Sequence, residues 1–297
     1  MEKTVILSIG ADGRFAGMVV PELVKCGAYV RGLVHKSENA EKVRAMGAQE
    51  VVVGDLRDQR SLQTALEGVE RIFYLAPAFL KDEAELGTGI VEASKRAGVR
   101  RIVFSSVIHP VLSELQNHVD KAPVEDAVLN SDLEYTFLHP TMFYQNYAAA
   151  WPVVQKTGVL TEPYSADRRL SRVDYRDVAE TAAIALTSDQ LLYGTFELCA
   201  EGHLNRRDVA SLMGEVLGRK VEASTLPFEE WAQKAGFRQS KDQMIGLKAM
   251  YDWYDAHSLL GNALTLRSIL GREPRTLREY FSELAANAAE RNVMNQM

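Results

Sequence analysis

Between residues 4 and 17 the chain reads Thr4-Val5-Ile6-Leu7-Ser8-Ile9-Gly10-Ala11-Asp12-Gly13-Arg14-Phe15-Ala16-Gly17, a pattern that few local structures accommodate. The apolar run Val5 to Ile9 stops abruptly at glycine, and apolar residues then recur with helical spacing at Phe15, Val19, Leu23 and Cys26. A buried strand, a tight turn and a helix satisfy both halves of the pattern. Glycines at such a turn let the backbone come close to a ligand, and the N–H groups opening the helix suit a phosphate. The spacing Gly10-x-x-Gly13-x-x-Ala16 departs from the commoner G-x-G-x-x-G form, so the stretch alone fits a plain turn as well.

Context favours the phosphate. Strand patterns at Ala28 to Val34, Glu50 to Val53, Arg71 to Leu75, Arg101 to Phe104 and Glu134 to Leu138 alternate with helical ones. The helices run from about Ser37 to Met46, from Arg60 to Leu66, and along the face Leu86, Ile90, Ala93, Ala97, which Gly98 closes. Such alternation predicts an α/β protein with a doubly wound parallel sheet and right-handed crossovers. Ligands of such sheets lie beyond the carboxyl ends of the strands, where the glycine turn sits. Two residues break local rules: Pro21 falls inside the first helix and predicts a bend, and Asp12 puts a carboxylate beside the phosphate site. Asp12 is expected to cap the helix, with Arg14 offsetting its charge. From about Ala148 strict alternation ends. Asp174 to Leu186 reads as a helix and Gly194 to Leu198 as a strand, both returning to the sheet. Asn205 to Leu217 is a capped helix, Lys220 to Thr225 a strand, and Phe228 to Ala235, Lys241 to Tyr254 and Arg275 to Ala288 are helical. This half is expected to form a smaller domain over the strand ends.

Composition bounds the partners. A net charge of −6 over 297 residues leaves no electrostatic footprint for nucleic acid. No apolar run is long enough for a membrane span, and Met1-Glu2-Lys3 leads straight into a strand, which predicts no signal peptide. The two cysteines, Cys26 and Cys199, stand in apolar settings and read as buried thiols of a cytoplasmic protein. There is no Cys/His spacing for a metal and no G-x-S-x-G elbow.

The second strand ends Val30-Arg31-Gly32-Leu33-Val34-His35-Lys36-Ser37 with no acid before Glu38. An acid there marks NAD through the ribose 2′-OH, whereas cations favour the 2′-phosphate of NADP. Arg31, His35, Lys36 and Ser37, with Arg14 from the turn, are therefore read as a collar for that phosphate, with NAD(H) the alternative cofactor. Asp55 after the third strand suits either a hydrogen bond from the adenine amino group or a turn with Gly54.

Several segments in combination resemble the NmrA-like branch of atypical short-chain dehydrogenases/reductases. They are Gly10-Ala11-Asp12-Gly13 with Ala16, Val30 to His35, Gly54-Asp55-Leu56, Phe104-Ser105-Ser106 and Pro140-Thr141-Met142-Phe143-Tyr144-Gln145-Asn146. Lys121-x-x-Val124-Glu125, Val173 to Ala179 and Leu270-Gly271-Arg272-Glu273-Pro274-Arg275-Thr276 extend the similarity over nearly the whole chain. The resemblance implies a Rossmann-type NAD(P)-binding domain at 1–150, with about 171–200 returning to it, and a smaller C-terminal α+β substrate domain in 151–297. It also implies where the cofactor is held. Gly10, Asp12, Gly13, Arg14 and Phe15 belong to the turn, and Arg31, His35 and Lys36 to the collar. Asp55, Leu56, Ala76, Pro77 and Ser105 lie at strand ends, Lys121 at the ribose, and Pro140, Met142 and Phe143 around the nicotinamide.

The wider family's reductases use Tyr-x-x-x-Lys, the Tyr as proton donor and the Lys on the nicotinamide ribose. Here Lys121 fits the Lys, but Asn117 stands four residues before it, and no Tyr lies between Tyr74 and Tyr135. Asn is no general acid. His109 and Tyr144, each following a strand, are the substitute donors considered beside Lys121, with His139 and His118 read as packing or solvated side chains. Pro123 predicts a helix break near Lys121. Quinone reduction eases the lack of a Tyr, because the product is a stabilised phenolate that water can protonate. The leading expectation is an NADP(H)-preferring oxidoreductase of a small quinone or conjugated carbonyl. The alternative is a catalytically silent redox-sensing regulator with a protein partner.

Overall fold

The computed structural model describes residues 4–77, 79–237 and 239–294. In chain order its elements begin with β1 (Val5–Ile9), α1 (Val19–Lys25), β2 (Tyr29–Val34), α2 (Ala40–Ala45), β3 (Glu50–Val53) and α3 (Gln59–Leu66). Then come β4 (Arg71–Leu75), α4 (Glu83–Ala97), β5 (Arg101–Ser105), α5 (Gln116–Val119), α6 (Ala122–Leu129), β6 (Glu134–Pro140), β7 (Met142–Phe143) and α7 (Tyr147–Thr157). The chain continues with β8 (Val159–Glu162), β9 (Arg172–Val173), α8 (Tyr175–Thr187), β10 (Gly194–Leu198), α9 (Arg206–Leu217) and β11 (Glu222–Thr225). It closes with α10 (Phe228–Lys234), α11 (Lys241–Ala256), α12 (Leu264–Leu270) and α13 (Leu277–Met294).

Two compact units divide the chain. One is drawn from Met1–Pro140 and Tyr175–Glu197, the other from Thr141–Asp174 and Leu198–Met297. The first break therefore falls at Pro140, ten residues before the expected position.

In the first unit seven strands form one sheet in the order β10-β6-β5-β4-β1-β2-β3. The ladders run parallel, with Ile9 beside Leu33, Leu75 beside Ser105 and Ser105 beside Leu138. This is the predicted α/β doubly wound sheet: strand order reverses between β1 and β4, the switch point at which ligands bind. Alternate residues Leu7, Ile9, Ile72, Tyr74, Ile102, Phe104 and Phe137 point to one face, where Leu62, Leu66, Ile90, Val91 and Val124 of α3, α4 and α6 bury them. The Tyr74 and Phe104 rings stack at 5.3 Å. On the other face α1 packs along α8. Fully burying one such aliphatic or aromatic side chain contributes roughly 1.5–3 kcal/mol, so this layer dominates the unit's stability.

Local signals place the boundaries. Gly98 ends α4 in the left-handed region, and Asn205 and Asp208 form a reciprocal capping box at α9. Pro21 causes less disruption than expected. A 3-10 turn at Ala16–Met18 precedes α1, which leaves Pro21 in the first helical turn where its missing N–H has no intrahelical partner to lose. Pro123 likewise stands at the start of α6, just past the break between α5 and α6, and Lys121 is the residue before that helix.

The second unit holds two short parallel pairs, β7 with β9 and β8 with β11. Its core gathers Tyr147, Trp151, Val154, Leu160, Val209, Met213 and Phe281, with Trp151 stacked on Phe281 at 5.6 Å. Helix α7, where strict alternation ends, carries Pro152 in its interior. Cys199 is buried as expected, but Cys26, at the end of α1, is exposed. No helix among the described residues is long and apolar enough to cross a membrane.

Candidate functional site

The turn after β1 is built from glycine at the positions where a side chain has no room. Gly10 has φ of 68°, and the Gly13 N–H donates to the Gly10 carbonyl at 2.8 Å. A Cβ on Gly13 would lie 2.9 Å from that same carbonyl oxygen. The third close approach falls at Gly17 rather than Ala16: a Cβ there would meet the Ala11 carbonyl oxygen at 2.8 Å. The Ala11 N–H donates to Leu33 at 3.0 Å, tying the turn to the end of β2. Phe15 packs on Tyr175 with ring centroids 5.2 Å apart, and the Arg14 guanidinium lies 5.3 Å over the Phe15 ring. Asp12 does not cap the helix. Its carboxylate accepts from the Asn39 amide at 2.5 Å, and its carbonyl accepts from Lys42 at 2.7 Å. The charge feared beside the phosphate is thus turned toward the segment after β2.

At the end of β2, His35 and Lys36 are exposed, and Lys36 reaches Glu38 only at 3.8 Å. Arg31 is different. Its Nε donates to Glu50 at 2.5 Å, its Nη1 donates to the Ala65 and Glu67 carbonyls, and its side chain is 14% exposed. Arg31 faces Glu50 directly across the β2–β3 ladder, so its fork is engaged there and does not join a phosphate collar. The Asp55 carboxylate accepts from the Arg57 N–H at 2.9 Å, beside a half-buried Leu56. Ala76 is buried and Pro77 exposed just past β4.

Beyond β5 the polar groups are densely connected. Ser105 is fully buried and its hydroxyl accepts from Tyr175 at 3.3 Å. Next to it, Ser106 donates to Glu125, and the same carboxylate oxygen lies 2.9 Å from His139 Nε2. His139 is thereby a buried, partnered side chain rather than an exposed acid. Lys121 is only 4% exposed, and its ammonium donates to the fully buried Glu83 and, at 3.3 Å, to the Asn117 carbonyl. Burial pushes the Glu83 carboxyl above its ordinary range, and the Lys121 charge opposes that rise. Lys121 is therefore committed to Glu83 in this structure.

His109 stands apart. It is one of three non-glycine residues with positive φ among those described, at 51°. Its carbonyl accepts from Leu112 N–H at 3.1 Å and lies 3.2 Å from His118 Nδ1. Burial pushes His118 down to about 4, so its neutral ring donates to that carbonyl. The His109 ring is 37% exposed, and its Nδ1 lies 3.4 Å from Glu197 at the end of β10. Pro140 closes β6, its carbonyl accepting from Ile108 N–H at 3.0 Å. Met142 and Phe143 form β7 of the second unit, paired with Arg172 and Val173. Tyr144 is 3% exposed in that unit's aromatic core, 6.1 Å from the Tyr280 ring. Sequence reasoning missed Gly17, whose signal was its place one residue past the motif, and Glu83 and Glu197, which lie too far along the chain to have one.

A parallel sheet of this order, with a glycine-closed turn at the carboxyl end of β1, defines a Rossmann-type domain. The NmrA-like family model matches residues 2–283, and the chain belongs to that family. The NAD(P)H azoreductase of Xenophilus azovorans is 26% identical over 95% of this chain and 98% of its own. The NADPH complex of an Escherichia coli NADPH-dependent quinone oxidoreductase superposes with a TM-score of 0.81 at 22% identity, covering 95% of this chain and 99% of that one. The NADP complex of NmrA, a negative transcriptional regulator, gives 0.80 at 19% identity and 98% of each chain.

Proposed function

We propose that this protein is a cytoplasmic, NADP(H)-preferring oxidoreductase that reduces small conjugated acceptors such as quinones. The observation that carries the reading is the Gly10–Gly13–Gly17 turn at the switch point, where neither Gly13 nor Gly17 leaves room for a Cβ. That backbone fits a dinucleotide's diphosphate, with Ala76, Pro77 and Ser105 at the neighbouring strand ends. Arg14, His35 and Lys36, all exposed and with no acid among residues 31 to 37, suit a 2′-phosphate. The family relatives named for azo compounds and quinones act on electron-poor conjugated systems, which is the acceptor class proposed here.

When bound, the reduced nicotinamide supplies a hydride, and the protein's part is to orient and to exclude competing reactions. His109 is the proton donor of this reading: it stands beyond β5, on the half of the sheet (β4, β5, β6) that serves the second mononucleotide. Lys121 supports the site through its bond to Glu83, a departure from the ribose role its motif implies. Met142 and Phe143, which follow Pro140 in the chain, are proposed as nicotinamide contacts. Steady-state turnover of NADPH against a panel of quinones, enones and azo dyes tests the proposal. NADPH binding without turnover of any acceptor would overturn it.

A second reading has its own observation. With Asn117 in the Tyr position and Lys121 held by Glu83, both members of the Tyr-x-x-x-Lys pair are withdrawn from chemistry. A redox-sensing regulator needs neither. Such a protein would bind oxidised and reduced nucleotide with different affinities and couple that difference to a protein partner. Calorimetric titration with NADP and NADPH separates the two, since equal affinities would exclude sensing.

A further inference from the structure

We infer that Glu197 is the positioning residue of the reaction: it fixes the ring of His109 so that Nε2, the nitrogen opposite their contact, delivers the proton. The inference rests on the reductase reading and extends it to a residue 88 positions away in sequence, on β10.

Three observations converge. A left-handed backbone at a histidine costs energy, and such conformations persist only where the surroundings over-determine them. At His109 they do. The Ile108 N–H is tied to Pro140, and the His109 carbonyl takes the Leu112 N–H and faces the neutral ring of His118. These bonds hold the His109 Cα at the carboxyl rim of β5. Second, the ring projected from that Cα is not buried for packing; at 37% exposed it is open to exchange protons with solvent. Third, the carboxylate of Glu197 lies 3.4 Å from Nδ1, at the carboxyl end of the strand on the far side of β6. A carboxylate on Nδ1 keeps a proton there in the neutral ring and leaves Nε2 as the atom that gives and regains the mobile one.

The proton balance is simple. Hydride transfer places an electron pair on the acceptor, which for a quinone resides on a phenolate oxygen. The His109 imidazolium gives its Nε2 proton to that oxygen and becomes the neutral Nδ1–H ring held by Glu197. Solvent then returns a proton to Nε2. One quinone, one NADPH and one proton yield one hydroquinone and one NADP.

Nitrogen-15 NMR of the His109 ring in the full-length protein reads the arrangement without turnover. The neutral wild-type ring is expected in the Nδ1–H tautomer, and Glu197→Gln is expected to return it to the Nε2–H form. In steady state, Glu197→Gln should lower kcat about tenfold to a hundredfold with KM and NADPH affinity unchanged, and Glu197→Asp should recover part of the loss. An Nε2–H ring in the wild type, or a tautomer and kcat indifferent to Glu197→Gln, would overturn the assignment while leaving the reductase standing. A wild type that binds NADPH and turns over nothing would overturn both.

Discussion

At the amino ends of β4, β5 and β6, Arg71, Arg101 and Glu134 stand level across the sheet. Arg101 is wholly buried, donating to Glu134, to Asp189 and to the Ala185 and Ser188 carbonyls. Arg100 bridges Glu70 and Glu134 beside it. Every arm of the Arg101 fork has an acceptor. The carboxyl ends of the same sheet are built otherwise: glycines with no room for a side chain, a histidine in a left-handed backbone, and His35 and Lys36 exposed. The difference teaches where this sheet spends its polar groups. One end locks strands together, and the other brings close-packed backbone and solvent-exposed polar side chains to the rim where ligands of such sheets bind.

The contrast can be broken from either side. Arg101→Met should cost the most, about 3–5 kcal/mol, because it strands the Ala185 and Ser188 carbonyls and takes from Glu134 one of its two arginine partners. Denaturant unfolding should show the loss, and the folded fraction should bind NADPH as the wild type does. Weakened binding would show that the two ends are not separable. Acid comes next. The His118 ring is depressed from 6.5 to about 4 by burial, so the unfolded chain takes up a proton first as pH falls. That stability is complete above about pH 6.5 and is lost progressively toward pH 4, about 3 kcal/mol in all. In His118→Gln that slope should flatten. Asp189 behaves differently: the Arg101 guanidinium holds its carboxyl below its ordinary range, so the amino-end network survives to lower pH. Gly13→Ala should weaken NADPH at least about tenfold by opening the turn. The control Gly89→Ala, in an exposed helix position with nothing within 4 Å, should stabilise by about 0.5–1 kcal/mol and leave binding unchanged. Lys36→Ala is expected to have the smallest effect, a severalfold loss for NADPH and none for NADH. Equal losses for both would remove Lys36 from the collar.

Much of the first unit was legible because its signals are local. Apolar runs that stop at Gly10, Gly54 and Pro77 set the bounds of β1, β3 and β4, and Gly98 and Asn205 fixed helix ends through cap chemistry that involves neighbours in sequence. The site was legible in part. Its glycines were read correctly as a turn, yet the 3-10 entry to α1 moved the third close approach from Ala16 to Gly17. Arg31 was misread because its partner, Glu50, is a cross-strand neighbour that appears only when β2 and β3 are in register. The bond between Lys121 and Glu83 was hidden for the same kind of reason, since Glu83 lies on another helix. Tyr144 looked like a strand-end donor until the aromatic core of the second unit enclosed it.

The chain passes from one unit to the other after Pro140, back after Asp174, and out again after Glu197. A polypeptide halted near residue 150 would therefore carry a sheet whose Arg101 has no Ala185 or Ser188 carbonyl to bond and whose Ser105 has no Tyr175. During synthesis the amino-terminal unit must wait for the ribosome to reach residue 197, with the first stretch of its neighbour already emerged in between. A single truncation therefore yields neither unit whole, because each is assembled from two separate stretches of chain.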